Sequence, residues 1–228
     1  MIRTILLILL FPLVILLIPL GMITYRQEKE KKMKILYMIL LFSVSAFTQT
    51  IVCLGTSLTQ ACYYPEVLQQ ELPGAKVINM GFGGKNSNTL KTKISEIIKM
   101  KPDIVLYESS INDACIVERY DKALTLDECR DNLQMICDSL KQFGLYFMTM
   151  NFPLDTLLFN RNPAKDRPHF YEYVGLFRWV ATENSIPVIE ILSKWYNINY
   201  LDYAPDGLHS NEKAAKELIV PEILKALK

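Results

Sequence analysis

Apolar residues along the chain fall into two regimes. Up to about residue 48 they form long, nearly unbroken blocks, and from Thr50 onward short apolar runs alternate with amphipathic stretches. Thr50-Ile51-Val52-Cys53-Leu54 reads as a buried strand, followed by helical spacing over Leu58–Gln70. Lys76–Asn79 reads as a second strand, then a glycine-rich turn and a helix over Thr89–Met100 that Pro102 closes. Asp103–Tyr107 is a third strand, and Leu126, Cys129, Leu133, Ile136 and Leu140 recur on one helical face before Gly144. A fourth strand over Leu145–Met150 leads into a Pro- and Asn-rich loop, Asn151–Arg167. A helix over Phe170–Asn184, a strand over Pro187–Ile191 and a last helix from Asn211 complete the pattern. Repeated βα alternation predicts a single three-layer α/β/α domain, residues 49–228, with a mostly parallel sheet covered on both faces.

The N-terminal region, residues 1–48, has another character. Ile5–Thr24 is almost pure hydrocarbon and long enough for a transmembrane helix. A charged hinge, Arg26–Lys34, carries five basic residues against Glu28 and Glu30. The second apolar run, Ile35–Phe47, is short and ends among Ser43, Ser45 and Ala46, so Met33 to about Thr48 has the form of a signal peptide. The expectation is an exported domain, periplasmic or extracellular. It starts either at Met33 with a cleaved signal or at Met1 with a membrane anchor, and in both cases the basic hinge stays on the cytoplasmic side.

Charge is balanced, with 25 Lys plus Arg against 24 Asp plus Glu in 228 residues. No basic excess marks a nucleic-acid footprint, so the partner is sought in a pocket. The five cysteines lack Cys-x-x-Cys spacing. Cys53, Cys129 and Cys137 read as core positions, while Cys62 and Cys115 are the two that could meet near a site.

In a parallel sheet the carboxyl ends of the strands share one edge, and ligands bind there. Three strand ends meet polar clusters: Gly55-Thr56-Ser57, Gly81 to Asn88, and Glu108 to Asp113. A serine after a strand is by itself an ordinary helix cap, and Ser57 with Gln60 fits a capping box. As a nucleophile it needs a base, and that base needs an orienting acid. There are two histidines. His169 sits among aromatics in a loop, whereas His209 has Asp206 three residues before it, just upstream of a helix. Gly84 can bring a backbone N–H close to a developing oxyanion, and Asn112 offers a side-chain amide. Taken singly, each of these is also a plain turn residue.

Rival motifs fail on particular residues. A Walker loop requires glycine where Asn79 stands, and a dinucleotide loop fails at Asn86. The α/β-hydrolase elbow fails at Thr59, and two histidines leave few ligands for a catalytic metal. No cofactor or metal is expected.

Gly55-Thr56-Ser57-Leu58-Thr59, Gly84 within Asn79–Gly84, Asn112-Asp113 and Asp206-x-x-His209 resemble, in order, the four blocks of the SGNH (GDSL-type) hydrolases. The resemblance spans residues 50–228 and implies a flavodoxin-like fold and a serine esterase. It implies Ser57 as nucleophile, His209 as base and Asp206 as its orienting acid. The Ser57 and Gly84 N–H groups and the Asn112 amide would form the oxyanion hole. Two positions depart from the family: Thr56 replaces the usual Asp, and Ser110 a common Gly that would border the acyl pocket. Glu108 gives the third block the look of a glutamate-bearing variant found in some glycan-associated members. The expected reaction is hydrolysis of a carboxylic ester, foremost a short O-acetyl ester on a glycan. A lipid acyl-ester or thioester hydrolase, an O-acyltransferase and a non-catalytic glycan-binding relative are the alternatives.

Overall fold

A computed structural model describes residues 49–117, 121–156 and 162–228. The two readings of residues 1–48, as anchor and as signal, lie outside the described residues. Among those described, no helix is long and apolar enough to cross a membrane.

Five strands form the sheet: β1 (Thr50–Gly55), β2 (Lys76–Gly81), β3 (Ile104–Tyr107), β4 (Gly144–Thr149) and β5 (Val188–Glu190). Every pairing is parallel and the order is β2-β1-β3-β4-β5. That is the doubly wound order in which the chain reverses direction of travel between β1 and β3, opening a crevice at their carboxyl ends. The predicted strands all form, with no edge shifted by more than two residues.

Strand side chains alternate between faces, and each face builds its own core. Ile51 and Cys53 of β1 point into one layer with Leu106, Met148 and Ile189. There they meet α2 (Tyr64–Glu71) and the C-terminal helices α8 (Glu212–Ala214) and α9 (Val220–Ala226). Val52 and Leu54 point the other way, with Val105, Tyr107 and Phe147. They pack on α4 (Ile94–Met100), α6 (Leu126–Leu140) and α7 (Phe170–Glu183). The Tyr107, Phe147 and Phe177 rings cluster, with Phe147 and Phe177 centroids 4.5 Å apart. Each fully buried large apolar side chain contributes roughly 1.5–3 kcal/mol, so the two layers anchor the sheet from both sides.

Two predicted helices are interrupted, each at a proline. The stretch expected as one helix over Leu58–Gln70 divides into α1 (Ser57–Gln60) and α2, because Pro65 sits at the start of α2. Proline lacks the N–H that would bond back across the break, and Tyr63 there takes a left-handed φ of 61°. The C-terminal helix loosens into a π-turn over Ala215–Ile219 just before Pro221, which absorbs the missing donor. The helix expected over Thr89–Met100 starts two residues earlier, as α3 (Ser87–Leu90), and runs through a 3-10 turn into α4, while the short α5 (Ser110–Asp113) was not anticipated.

Candidate active site

The carboxyl edge of β1 ends in a turn with no room for side chains. A Cβ on Gly55 would lie 2.1 Å from Thr59 Oγ1 and 2.3 Å from Glu108 Oε1. Helix α1 starts immediately after, and its cap is Thr56, not Ser57: the Thr56 hydroxyl accepts from Leu58 N–H at 3.2 Å. The capping box expected between Ser57 and Gln60 therefore does not form. Gln60 instead reaches across the edge and accepts from Gly83 N–H at 2.8 Å, bracing the glycine turn after β2. With capping assigned to its neighbour, the Ser57 hydroxyl is available to the pocket.

That hydroxyl meets His209 Nε2 at 3.0 Å, and His209 Nδ1 meets Asp206 Oδ2 at 2.7 Å. The other carboxylate oxygen of Asp206 accepts from His209 N–H at 2.7 Å and from Leu208 N–H at 3.0 Å. Partial burial works against the charge on Asp206, but the His209 ring and these two N–H donors outweigh it and hold the carboxyl well below the usual carboxylate range. The ion is thus kept where it can orient the imidazole and stabilise it once protonated. Gly207 permits the loop: its φ is +79°, and a Cβ there would stand 1.9 Å from the Leu154 carbonyl oxygen.

The remaining elements converge on the same pocket, of about 450 Å³, lined by Ser57, His209, Gly84 and Asn112 among others. Gly84 takes a φ of +73°, the left-handed backbone that lets the turn approach Ser57. Ser57 is the first residue of α1, so its N–H has no acceptor a turn earlier in the helix. Asn112, on α5, donates to Lys85 O at 3.0 Å and accepts from Arg167 Nη2 at 3.2 Å. Every residue implied by the family resemblance is therefore brought to one edge. His169 is not: it lies exposed and pairs with Glu172 at 2.7 Å.

Both family departures find a physical account. Thr56 donates from its N–H and its hydroxyl to Glu108, buried at the end of β3, and Thr59 adds a third bond at 2.9 Å. The carboxylate absent at position 56 stands instead at 108. Burial pushes the Glu108 carboxyl up to about 7, with the Thr56 and Thr59 bonds pulling it down. Ser110, expected beside the acyl pocket, is buried in α5 and is not part of the pocket lining. Cys62 and Cys115 are free thiols rather than a pair, and burial pushes Cys62 up to about 12.

Two contributors were missed in the sequence. Asp121 accepts from Asn86 N–H at 3.0 Å and from Thr89 Oγ1 at 2.7 Å, pinning the segment after Gly84. Arg167 is buried, although it lies in what reads as a surface loop. A lone arginine between Pro163 and Pro168 was the only signal, and loop position masked it.

Residues 53–216 match the GDSL-like Lipase/Acylhydrolase family. The chain belongs to that family. As a GDSL-like acylhydrolase it is an ester-hydrolysing enzyme. No curated protein matches it in sequence. Among solved structures, an acetyl xylan esterase is 16% identical, with a TM-score of 0.66 over 78% of this chain and 100% of that one. The lipase/acylhydrolase from Enterococcus faecalis is 19% identical, with a TM-score of 0.63 over 79% and 95%. A catalytic mutant of an acetylxylan esterase from Geobacillus stearothermophilus is 20% identical, with a TM-score of 0.61 over 78% and 93%. At these identities the likeness speaks for the fold, and the parallel α/β architecture of this GDSL-like acylhydrolase matches theirs.

Proposed function

We propose that the enzyme hydrolyses a short acyl ester, an O-acetyl group on a glycan, through an acyl-enzyme on Ser57. The observation that carries the reading is the unbroken relay from Ser57 Oγ through His209 to Asp206, at 3.0 and 2.7 Å. His209 Nε2 takes the Ser57 proton as Oγ attacks the ester carbonyl. The carbonyl oxygen, now an oxyanion, accepts from Ser57 N–H, Gly84 N–H and Asn112 Nδ2. Collapse of the tetrahedral intermediate breaks the ester C–O bond, and the imidazolium gives its proton to the leaving alkoxide. Water, deprotonated by His209, then attacks the acyl-serine and returns the acid and free Ser57.

The pocket's chemistry supports a short acyl chain and a hydroxyl-rich alcohol. Asn86, Asp121, Asn162 and Asp166 line it, offering hydrogen-bond partners where a long acyl tail would need apolar walls. The acetyl xylan esterases among the similar folds favour the same substrate class. The apolar segments before residue 49 support export, where glycans are met. N-terminal sequencing of the mature protein would show whether a signal is cleaved after about residue 48 or an anchor is retained.

The decisive experiment pairs fluorophosphonate labelling of Ser57 with an acyl-length series of p-nitrophenyl esters and acetylated xylo-oligosaccharides. Labelling at Ser57, fastest turnover at acetate and acetate release from the oligosaccharide are expected. Turnover rising with chain length overturns the acyl assignment, and binding without labelling or turnover overturns the catalytic one.

A further inference from the structure

We infer that Arg167 is the positioning residue for the oxyanion-hole amide, holding Asn112 in its working orientation; the inference rests on the proposed role of Asn112. Arg167 sends three bonds into the wall of the pocket. Nε donates to Ile111 O at 2.6 Å, Nη2 to Asn112 Oδ1 at 3.2 Å, and Nη1 to Pro163 O at 3.1 Å. One guanidinium therefore grips the backbone just before Asn112, the Asn112 side chain itself, and the carbonyl of Pro163, which also lines the pocket.

Donor and acceptor chemistry makes the orientation unambiguous. A guanidinium has only N–H donors, so the atom of Asn112 facing it must be the oxygen. The Lys85 carbonyl can only accept, so the atom facing it must be Nδ2, at 3.0 Å. A flipped amide would set N–H against N–H on one side and oxygen against oxygen on the other. With the flip excluded, one hydrogen of Nδ2 is spent on Lys85 O and the second is left to the pocket that Asn112 lines. That second hydrogen is the one an oxyanion would take.

The same contact tunes the donor. A cation bonded to the amide oxygen draws electron density through the conjugated amide and makes its N–H a stronger donor. Arg167 is only 8% exposed, so this polarisation acts where water screens it little. Lysine cannot stand in, because a point ammonium does not match three acceptors spread in the plane of a guanidinium fork.

The test compares kcat and KM on p-nitrophenyl acetate for wild type, Asn112→Ala, Arg167→Gln, Arg167→Lys and the Asn112→Ala/Arg167→Gln double variant, with thermal melts alongside. Asn112→Ala is expected to lower kcat by about 10²-fold or more, the usual loss for one oxyanion donor. Arg167→Gln and Arg167→Lys should each lower kcat by about 10-fold or more with KM within about twofold, the pattern of an interaction made only in the transition state. The double variant should be no slower than Asn112→Ala alone, within about twofold, because Arg167 acts through Asn112. Full activity in Asn112→Ala removes the proposed role of Asn112 itself. An impaired Asn112→Ala beside unimpaired Arg167 variants overturns the inference and leaves that role standing. Additive losses in the double variant, or failure of both Arg167 variants to fold, overturn it too and make Arg167 a purely structural tie.

Discussion

Thr56 and Glu108 hold the ends of neighbouring strands together, the Thr56 N–H and hydroxyl donating to one Glu108 oxygen at 2.5 and 2.9 Å. The carboxylate that stiffens the turn before Ser57 is thus supplied from the end of β3 rather than from the turn itself. Installing the family's usual residue by Thr56→Asp would place two carboxylates in contact at a buried site. That variant should lose on the order of 2–4 kcal/mol of stability. Thr56→Asp/Glu108→Gln should recover much of the loss, and urea unfolding of the two variants checks the coupling.

Glu108 also makes stability depend on pH. Its carboxyl sits at about 7 in the fold, against an ordinary 4.5, because burial outweighs the Thr56 and Thr59 bonds. Between those values the folded state binds more protons than the unfolded chain, so stability falls as pH rises through the window, by on the order of 3 kcal/mol at most. Glu108→Gln should lose that slope. Buried Asp113, whose carboxyl is also raised by burial, contributes the same sign in both proteins, so the informative quantity is the difference between their urea midpoints from pH 4.5 to 8. A parallel pair of curves would contradict the assignment.

Ser57→Ala removes one oxygen that neither caps α1 nor braces the sheet. Ester turnover should fall by about 10⁴-fold or more, with the melting temperature shifted by only a few degrees. Loss of fluorophosphonate labelling should accompany it.

Asp206→Asn keeps the shape of the loop and discards the charge. The His209 ring would then face a neutral amide able to present its NH2 group, which favours the wrong tautomer. A kcat loss on the order of 10³–10⁴ is expected, with KM little changed. Because the carboxyl of Asp206 is held below the usual range, its ionisation should contribute no limb to the pH–rate profile above pH 4.

Gly207→Ala combines a left-handed backbone with a collision at the Leu154 carbonyl oxygen. Backbone strain alone costs about 1–2 kcal/mol, and the collision must shift the loop carrying Asp206 and His209. Activity should fall more steeply than stability, which parallel kinetics and melts would reveal.

What could be read from the sequence follows the range of each interaction. The Asp206–His209 pair is three residues apart, and the strand–turn–helix signal at Ser57 is local, so both were legible. The parallel sheet was legible as well, since repeated βα alternation leaves few other architectures. Arg167 was not legible: its partner Asn112 lies 55 residues away, and no local pattern marks a loop arginine as buried. The capping box failed for a related reason, because Gln60 found a better partner in Gly83, 23 residues on. Pro65 marks the helix break locally, although the apolar spacing runs unbroken across it.

Ser57 and His209 are 152 residues apart, and that separation orders events in time. If His209 is the base, as proposed, a nascent chain that ends before it carries Ser57 without the means to acylate itself on esters met during synthesis. On the proposed mechanism, reactivity switches on when the Asp206–His209 loop and the last helices, which pack against α2 and β5, are in place. Covalent capture of Ser57 is therefore a clock for the completion of folding as well as a probe of catalysis.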